Sequence, residues 1–97
     1  MTVVTKAELI AQARKHAGSL EPLMAWYAVA SRAEWRGLHQ VRKDFPSADQ
    51  IGNVLVFNVN GNTYRLIVRV DYPKQELYVK VLLTHAEYDK RGWMKWA

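Results

Sequence analysis

At 97 residues, 49% of them hydrophobic, the chain is long enough for one core without a metal or disulfide, and residues 1–97 read as a single domain. The lack of cysteine excludes a disulfide framework, a zinc–thiolate site and a thiol nucleophile. Fourteen Lys and Arg against nine Asp and Glu give a net charge of +5, a modest excess that suits a polyanion or an acidic partner.

The first residues, MTVVTKAEL, carry no long apolar core or cleavage signature. No run approaches the roughly 20 apolar residues of a membrane span, so the expected location is the cytoplasm. Thr2–Thr5 is β-prone and suits an edge strand. Thr5-Lys6-Ala7-Glu8 matches a capping box and predicts a helix from about Lys6, with Leu9, Ile10, Ala13 and Ala17 as its apolar stripe and Gly18 as its stop. Ser19 can cap a second helix with Pro22 in its first turn. Leu20, Leu23, Met24, Tyr27, Ala28, Ser31 and Trp35 recur at helical spacing, which predicts an end between Ala33 and Gly37. Two such helices read as a hairpin lying on a sheet, with Met24 and Trp26 available to a partner. Leu38–Asp44 predicts a short helix stopped by Pro46, and Phe45–Gln50 reads as a loop.

Three strands follow. Val54–Val59 leads to Asn60-Gly61, a two-residue hairpin signal that pairs Val59 with Asn62, Phe57 with Tyr64 and Leu55 with Leu66. The other two strands are Thr63–Asp71 and Glu76–Leu83. A loop of about four residues between them sets Asp71 opposite Glu76, Arg69 opposite Tyr78, Ile67 opposite Lys80 and Arg65 opposite Leu82. Tyr64, Leu66, Val68 and Val70 then share a core face with Leu77, Val79, Val81 and Leu83. The opposite face carries Arg65, Ile67 and Arg69 with Tyr78 and Lys80. The fold class is α+β: two N-terminal helices packed on a mainly antiparallel sheet of three to four strands, with a short C-terminal helix.

The Arg- and Lys-bearing face has two readings. Guanidinium forks on a strand suit phosphate, and three clustered cations repel one another unless an anion sits among them. The same residues are also common on the solvated side of a half-buried sheet. Thr84-His85-Ala86-Glu87 is a second capping box, which places His85, Tyr88 and Asp89 near one side of a helix start. Backbone N–H groups there favour an anion. The plainer alternatives are an exposed histidine without a role and a tyrosine packed on the sheet edge. Gly92 is expected to close this helix, and the tail Arg91-Gly92-Trp93-Met94-Lys95-Trp96-Ala97 has no pattern that places it.

No Gly-rich phosphate loop, nucleophile elbow or metal-ligand cluster is present, and His16, His39 and His85 lack zinc-site spacing. A ribonuclease that needs no metal or other cofactor stays open, because RNA supplies its own nucleophile in the 2′-OH.

The run THAEYDK at Thr84–Lys90, after Tyr78-Val79-Lys80 and the earlier Tyr64-Arg65-Leu66, resembles the HigB toxins of bacterial toxin–antitoxin systems. The resemblance extends from about Val3 to Lys90, and Asp44-Phe45-Pro46-Ser47-Ala48-Asp49 is similar to the family's segment before the sheet. It implies a RelE-like fold and a small endonuclease of mRNA, usually acting in the ribosome and leaving a 2′,3′-cyclic phosphate. It also implies a cognate HigA-like helix-turn-helix antitoxin. On this footing His85, Arg65, Tyr88 and Lys80 are the candidate catalytic residues, and Arg69, Tyr78, Lys90 and Arg91 the RNA-binding ones. His85 would be the general acid or base. Arg65 and Arg69 would hold phosphate, Lys80 would assist with charge, Ile67 and Tyr78 would fill the floor, and Tyr88 would stack on a base or orient a phosphate. The alternative is a non-catalytic RNA- or protein-binding module on the same fold, and the intact THAEYDK run with both strand arginines favours the enzyme. DNA binding is weaker, since no second helix looks like a recognition helix.

Overall fold

Five strands form one mixed sheet in the order β1-β5-β4-β3-β2, in a computed structural model that describes residues 1–97. The strands are β1 (Thr2–Val3), β2 (Asp49–Ile51), β3 (Val54–Val59), β4 (Tyr64–Asp71) and β5 (Glu76–Thr84). The helices are α1 (Lys6–Lys15), α2 (Leu20–Ala30), α3 (Leu38–Asp44) and α4 (His85–Asp89), and a 3₁₀ turn spans Gly92–Trp96. The α+β class and the packing of the N-terminal helices on the sheet agree with the sequence. The strand count is five, not three to four. β1 runs parallel to β5 at one edge, and β2 pairs antiparallel with β3 at the other. β2 takes the end of the segment expected as loop; three residues are too few for alternation to register.

The first helices and the strands bury one large core. Leu9, Leu23, Leu55, Leu66 and Leu77 have no exposed surface, and full burial of such a side chain stabilises by about 1.5–3 kcal/mol. Trp26 belongs to this core, edge-on to Phe57 at 5.4 Å, and offers nothing to a partner. α2 ends at Ala30, earlier than its spacing suggests. Trp35 leaves the helical path because its indole N–H donates to Asp44 Oδ2 at 2.8 Å while its ring lies against Phe57.

The hairpin between β3 and β4 uses a four-residue loop, residues 60–63, with Asn60 and Gly61 both at positive φ (55° and 64°). Val59 therefore pairs with Tyr64, Phe57 with Leu66 and Leu55 with Val68. This is a slip of two from the expected register. Because side chains alternate with period two, it leaves every face unchanged, so apolar matching could not detect it.

The register between β4 and β5 begins as expected, with Asp71 opposite Glu76 and Arg69 opposite Tyr78. It then shifts. Val68 pairs with Val79 but Ile67 pairs with Val81, leaving Lys80 as the extra residue of a bulge. Arg65 consequently faces Leu83 and not Leu82. Beyond the bulge the faces of β5 exchange: Leu82 enters the helix-covered core, while Val81 and Leu83 turn to the other side.

The outer edge of β5 explains one unmet capping expectation. β1 covers only its first two residues, so later backbone N–H groups need other partners. Val79 N–H donates to Thr5 Oγ1 at 2.6 Å, Leu82 N–H to Gln12 Oε1 at 3.1 Å and Thr84 N–H to Glu87 Oε1 at 2.9 Å. Thr5 thus makes no side-chain cap, and Glu8 accepts from Gln12 Nε2. Ser19 also fails to cap; its hydroxyl donates to His16 O at 2.7 Å.

The second face of the sheet is not open. After α4 the chain turns at Arg91, which takes the left-handed conformation (φ 60°) in place of the expected Gly92 stop. The 3₁₀ turn then seats Trp93, 5% exposed, with Val54, Val56 and Ile67 in a second small core. The end of the chain rests on Gly52, where a Cβ would stand 2.6 Å from the backbone carbon of Ala97.

Candidate functional site

The site is built where β5 passes into α4. The Thr84 capping box is complete: Thr84 Oγ1 accepts from Glu87 N–H at 3.2 Å, and Glu87 Oε1 accepts from Thr84 N–H. The bond from the Thr84 backbone, then that from its side chain, holds the exposed Glu87 carboxyl below the usual carboxylate range, with smaller help from the charges of His16 and Lys90. The helix start therefore satisfies itself, and its Glu87 N–H is not free for an anion.

Helical spacing then groups His85, Tyr88 and Asp89. His85 Nδ1 lies 3.4 Å from Asp89 Oδ2, with both side chains well exposed. Arg65 approaches from β4, its Cζ 5.9 Å from the centre of the Tyr88 ring. Its Nη1 donates to Asn62 O at 3.2 Å and Tyr64 O at 3.3 Å, which fixes the head group and leaves Nε and Nη2 without protein partners. On Tyr88, Trp93 stacks with centroids 5.0 Å apart and planes 7° from parallel, and Trp93 Nε1 donates to Tyr88 O at 3.0 Å.

Beside this group opens a cleft of about 580 Å³ between β2 and the α4–tail segment, lined by Asp49, Ile51, Tyr88, Asp89, Arg91, Trp93 and Met94. On the other flank of the tail, Lys90, Lys95 and Trp96 border a groove of about 330 Å³. Lys95 Nζ lies over the Trp96 ring at 4.6 Å. Nowhere do three or more His, Asp or Glu side chains gather as a metal site would need.

Of the residues expected to form one basic surface, Arg65 reaches the Tyr88 ring and Arg91 lines the cleft with Tyr88, while His85 pairs with Asp89 on the same helix and Lys90 follows it in the chain. Arg69 and Tyr78 face each other four positions further along β4, about 13 Å from Arg65 at strand spacing. There Tyr78 Oη donates to Glu76 Oε1 at 2.9 Å, which raises its phenol pKa, with Asp71 adding to the effect. Lys80 sits half-buried in the bulge without a hydrogen bond or ion pair. Ile67 is fully buried beneath the tail and is no floor for a ligand. The basic face is thus divided in its middle by Trp93.

Three contributors were not foreseen. Asp89 was noted only as a neighbour of His85. Trp93 follows no periodicity. His16, at the end of α1, meets Tyr64 edge-on at 5.1 Å and acts on Glu87 through its charge, a pairing across the fold that no local spacing announces.

The profile of a family described as HigB toxin, RelE-like toxic component of a toxin–antitoxin system, matches residues 19–91. Among curated relatives, the mRNA interferase HigB of Escherichia coli O6:H1 is 29% identical over 93 residues, covering 93% of this chain and 90% of that protein. The mRNA interferase toxin HigB of Escherichia coli K12 is 28% identical over 92 residues, covering 92% and 88%. The mRNA interferase HigB of Shigella flexneri shows the same figures.

Proposed function

Because the chain belongs to the HigB toxin family, the RelE-like toxic component of toxin–antitoxin systems, we propose that it is an endoribonuclease that cuts mRNA at the mouth of the α4 cleft without a metal ion. The observation that carries this reading is the approach of Arg65 from β4 to the Tyr88 ring on α4, the short capped helix on which His85 pairs with Asp89.

The chemistry is transesterification. The 2′-OH gives up its proton and attacks the adjacent phosphorus, the P–O2′ bond forms, the P–O5′ bond breaks, and the leaving 5′ oxygen takes a proton. The product is a 2′,3′-cyclic phosphate. His85 serves as the general acid or base, since an imidazole nitrogen can accept or donate a proton. Asp89 orients its ring through Nδ1 and leaves Nε2 for the substrate. The unpartnered nitrogens of Arg65, with Arg91 on the cleft wall, neutralise the phosphate as charge builds on it. Tyr88 orients that phosphate or stacks on a base. Lys90 attracts the backbone nearby, Lys80 adds charge from the bulge, and Arg69 with Tyr78 meets a more distant part of the same strand.

A HigA-like helix-turn-helix antitoxin is the partner we assign, and the ribosome the setting in the cytoplasm. No helix is long and apolar enough to cross a membrane.

Induced alone, the chain should arrest growth and fragment transcripts. In a cleavage assay, His85→Ala and Arg65→Ala should remain folded and lose about 10²–10⁴-fold and at least tenfold in rate, respectively. RNA binding without cleavage by the unaltered chain would favour the non-catalytic module. Full activity in both variants would move the site elsewhere.

A further inference from the structure

Trp93 lies two positions beyond Arg91, where the family match ends. It is nevertheless the residue in fullest contact with the ring at the centre of the site. α4 has only five residues and none of them is buried. A helix of this length has little stability of its own. Its capping box fixes the first turn but makes no contact that sets the plane of Tyr88. Trp93 does both: its ring lies parallel to that of Tyr88, and its indole N–H holds the Tyr88 carbonyl. Trp93 is itself immobilised, seated with Val54, Val56 and Ile67 on the sheet. The far end of the tail is pinned separately, because Gly52 lacks the Cβ that would strike Ala97. A continuous chain of contacts thus runs from the second core through Trp93 to Tyr88 and on to the Arg65 guanidinium.

We propose that Trp93 is a positioning residue of the RNA-cleaving site, fixing the Tyr88 ring and through it the Arg65 head group against the reacting phosphate. The inference rests on the reading of α4 as the place of cleavage. Simple filling of the second core would need only apolar volume. A parallel ring and a bond to the Tyr88 main chain set orientation, which volume alone does not.

The test is a mutant cycle in single-turnover cleavage, with RNA affinity measured on the same proteins and folding checked by near-UV circular dichroism. Trp93→Leu keeps apolar bulk and removes the stack. It should lower the rate at saturating RNA by about tenfold, since small misplacements near reacting groups are costly, while affinity changes by less than about threefold. Trp93→Phe, which keeps a stacking ring, should recover most of the loss. In a Tyr88→Ala background, Trp93→Leu should change the rate by less than about twofold, the non-additivity expected of residues that act as a unit. Should Trp93→Leu fail to fold, the cycle with Trp93→Phe decides: it keeps a stacking ring but loses the N–H bond and part of the buried volume, and the part of its loss that comes from positioning should vanish without Tyr88. A wild-type rate for a folded Trp93→Leu variant, or a loss of equal size with and without Tyr88, overturns the proposal. Failure of the unaltered chain to cut RNA, or full activity of Tyr88→Ala, overturns the site itself and Trp93's role with it.

Discussion

Arg65 and Arg69 have the same side chain on the same strand, yet the fold gives them different tasks. Arg65 is braced by two carbonyls beside Tyr88, whereas Arg69 is exposed near the acidic corner of Asp71 and Glu76. Arg65→Ala should therefore act mainly on the rate of cleavage. Arg69→Ala should weaken RNA binding and lower the salt slope by about one unit, with the rate from bound RNA little changed. Titrations across a salt series read both effects, and an unchanged slope would leave Arg69 as a solvated surface charge. The sequence revealed each arginine but not this division, because the separation depends on Trp93 covering Ile67 between them. His85 and Tyr88 were legible because their placement follows from one local motif. Trp93 was not, since a lone tryptophan in an aperiodic tail carries no sign of where it docks.

At the scale of elements, β5 is held by side chains on its outer edge as well as by β4. Gln12 is 4% exposed and its Oε1 takes the Leu82 N–H that the Lys80 bulge turns outward. Gln12→Ala would leave that buried donor unpaired, a loss of about 1–3 kcal/mol that urea denaturation can measure. A change below about 0.5 kcal/mol would mean that water replaces the glutamine. The α4 capping box has its own pH dependence. The Glu87 carboxyl is held below its usual range by Thr84, so its contribution is present above the unfolded-state pKa and falls away as pH drops through the folded one. The amide signals of residues 85–88 should therefore show fraying on the acid side of ordinary glutamate titration, while the sheet stays intact. Retention of the helix signals in Glu87→Ala would contradict this. The two Thr-x-x-Glu runs are identical in pattern, and only tertiary context decides between them: Thr84 caps, while Thr5 is claimed by the strand edge. The bulge was unreadable for a related reason. Alternation assumes one residue per step, and both faces of β5 are apolar enough to hide a slip.

At the scale of the whole molecule, helices cover one sheet face and the Trp93 tail the middle of the other, which leaves little continuous surface with which to grip RNA. The three long strands and the helical layer were legible from apolar alternation. Of the edge strands, β1 was legible in the β-prone Thr2–Thr5, whereas β2, three residues that begin in a segment read as loop, was not. The concave surface at the site amounts to a cleft of about 580 Å³ with Arg91 on its wall, while Arg65, His85 and Asp89 cluster by Tyr88. These groups can supply protons and neutralise charge, but they offer few contacts to force a flexible strand into the in-line arrangement that attack by the 2′-OH requires. Such orientation is worth roughly 7–11 kcal/mol in well-aligned systems. A ribosome that holds a codon in a bent path would supply part of it, and the +5 charge would draw this small protein into a site walled by rRNA. Cleavage of ribosome-bound mRNA should accordingly be much faster than cleavage of the same RNA free in solution. The comparison is single-turnover cleavage of one message, free and in a programmed ribosome, at matched salt. Equal rates would show that Arg65, Arg91 and the Trp93-braced Tyr88 position the substrate unaided.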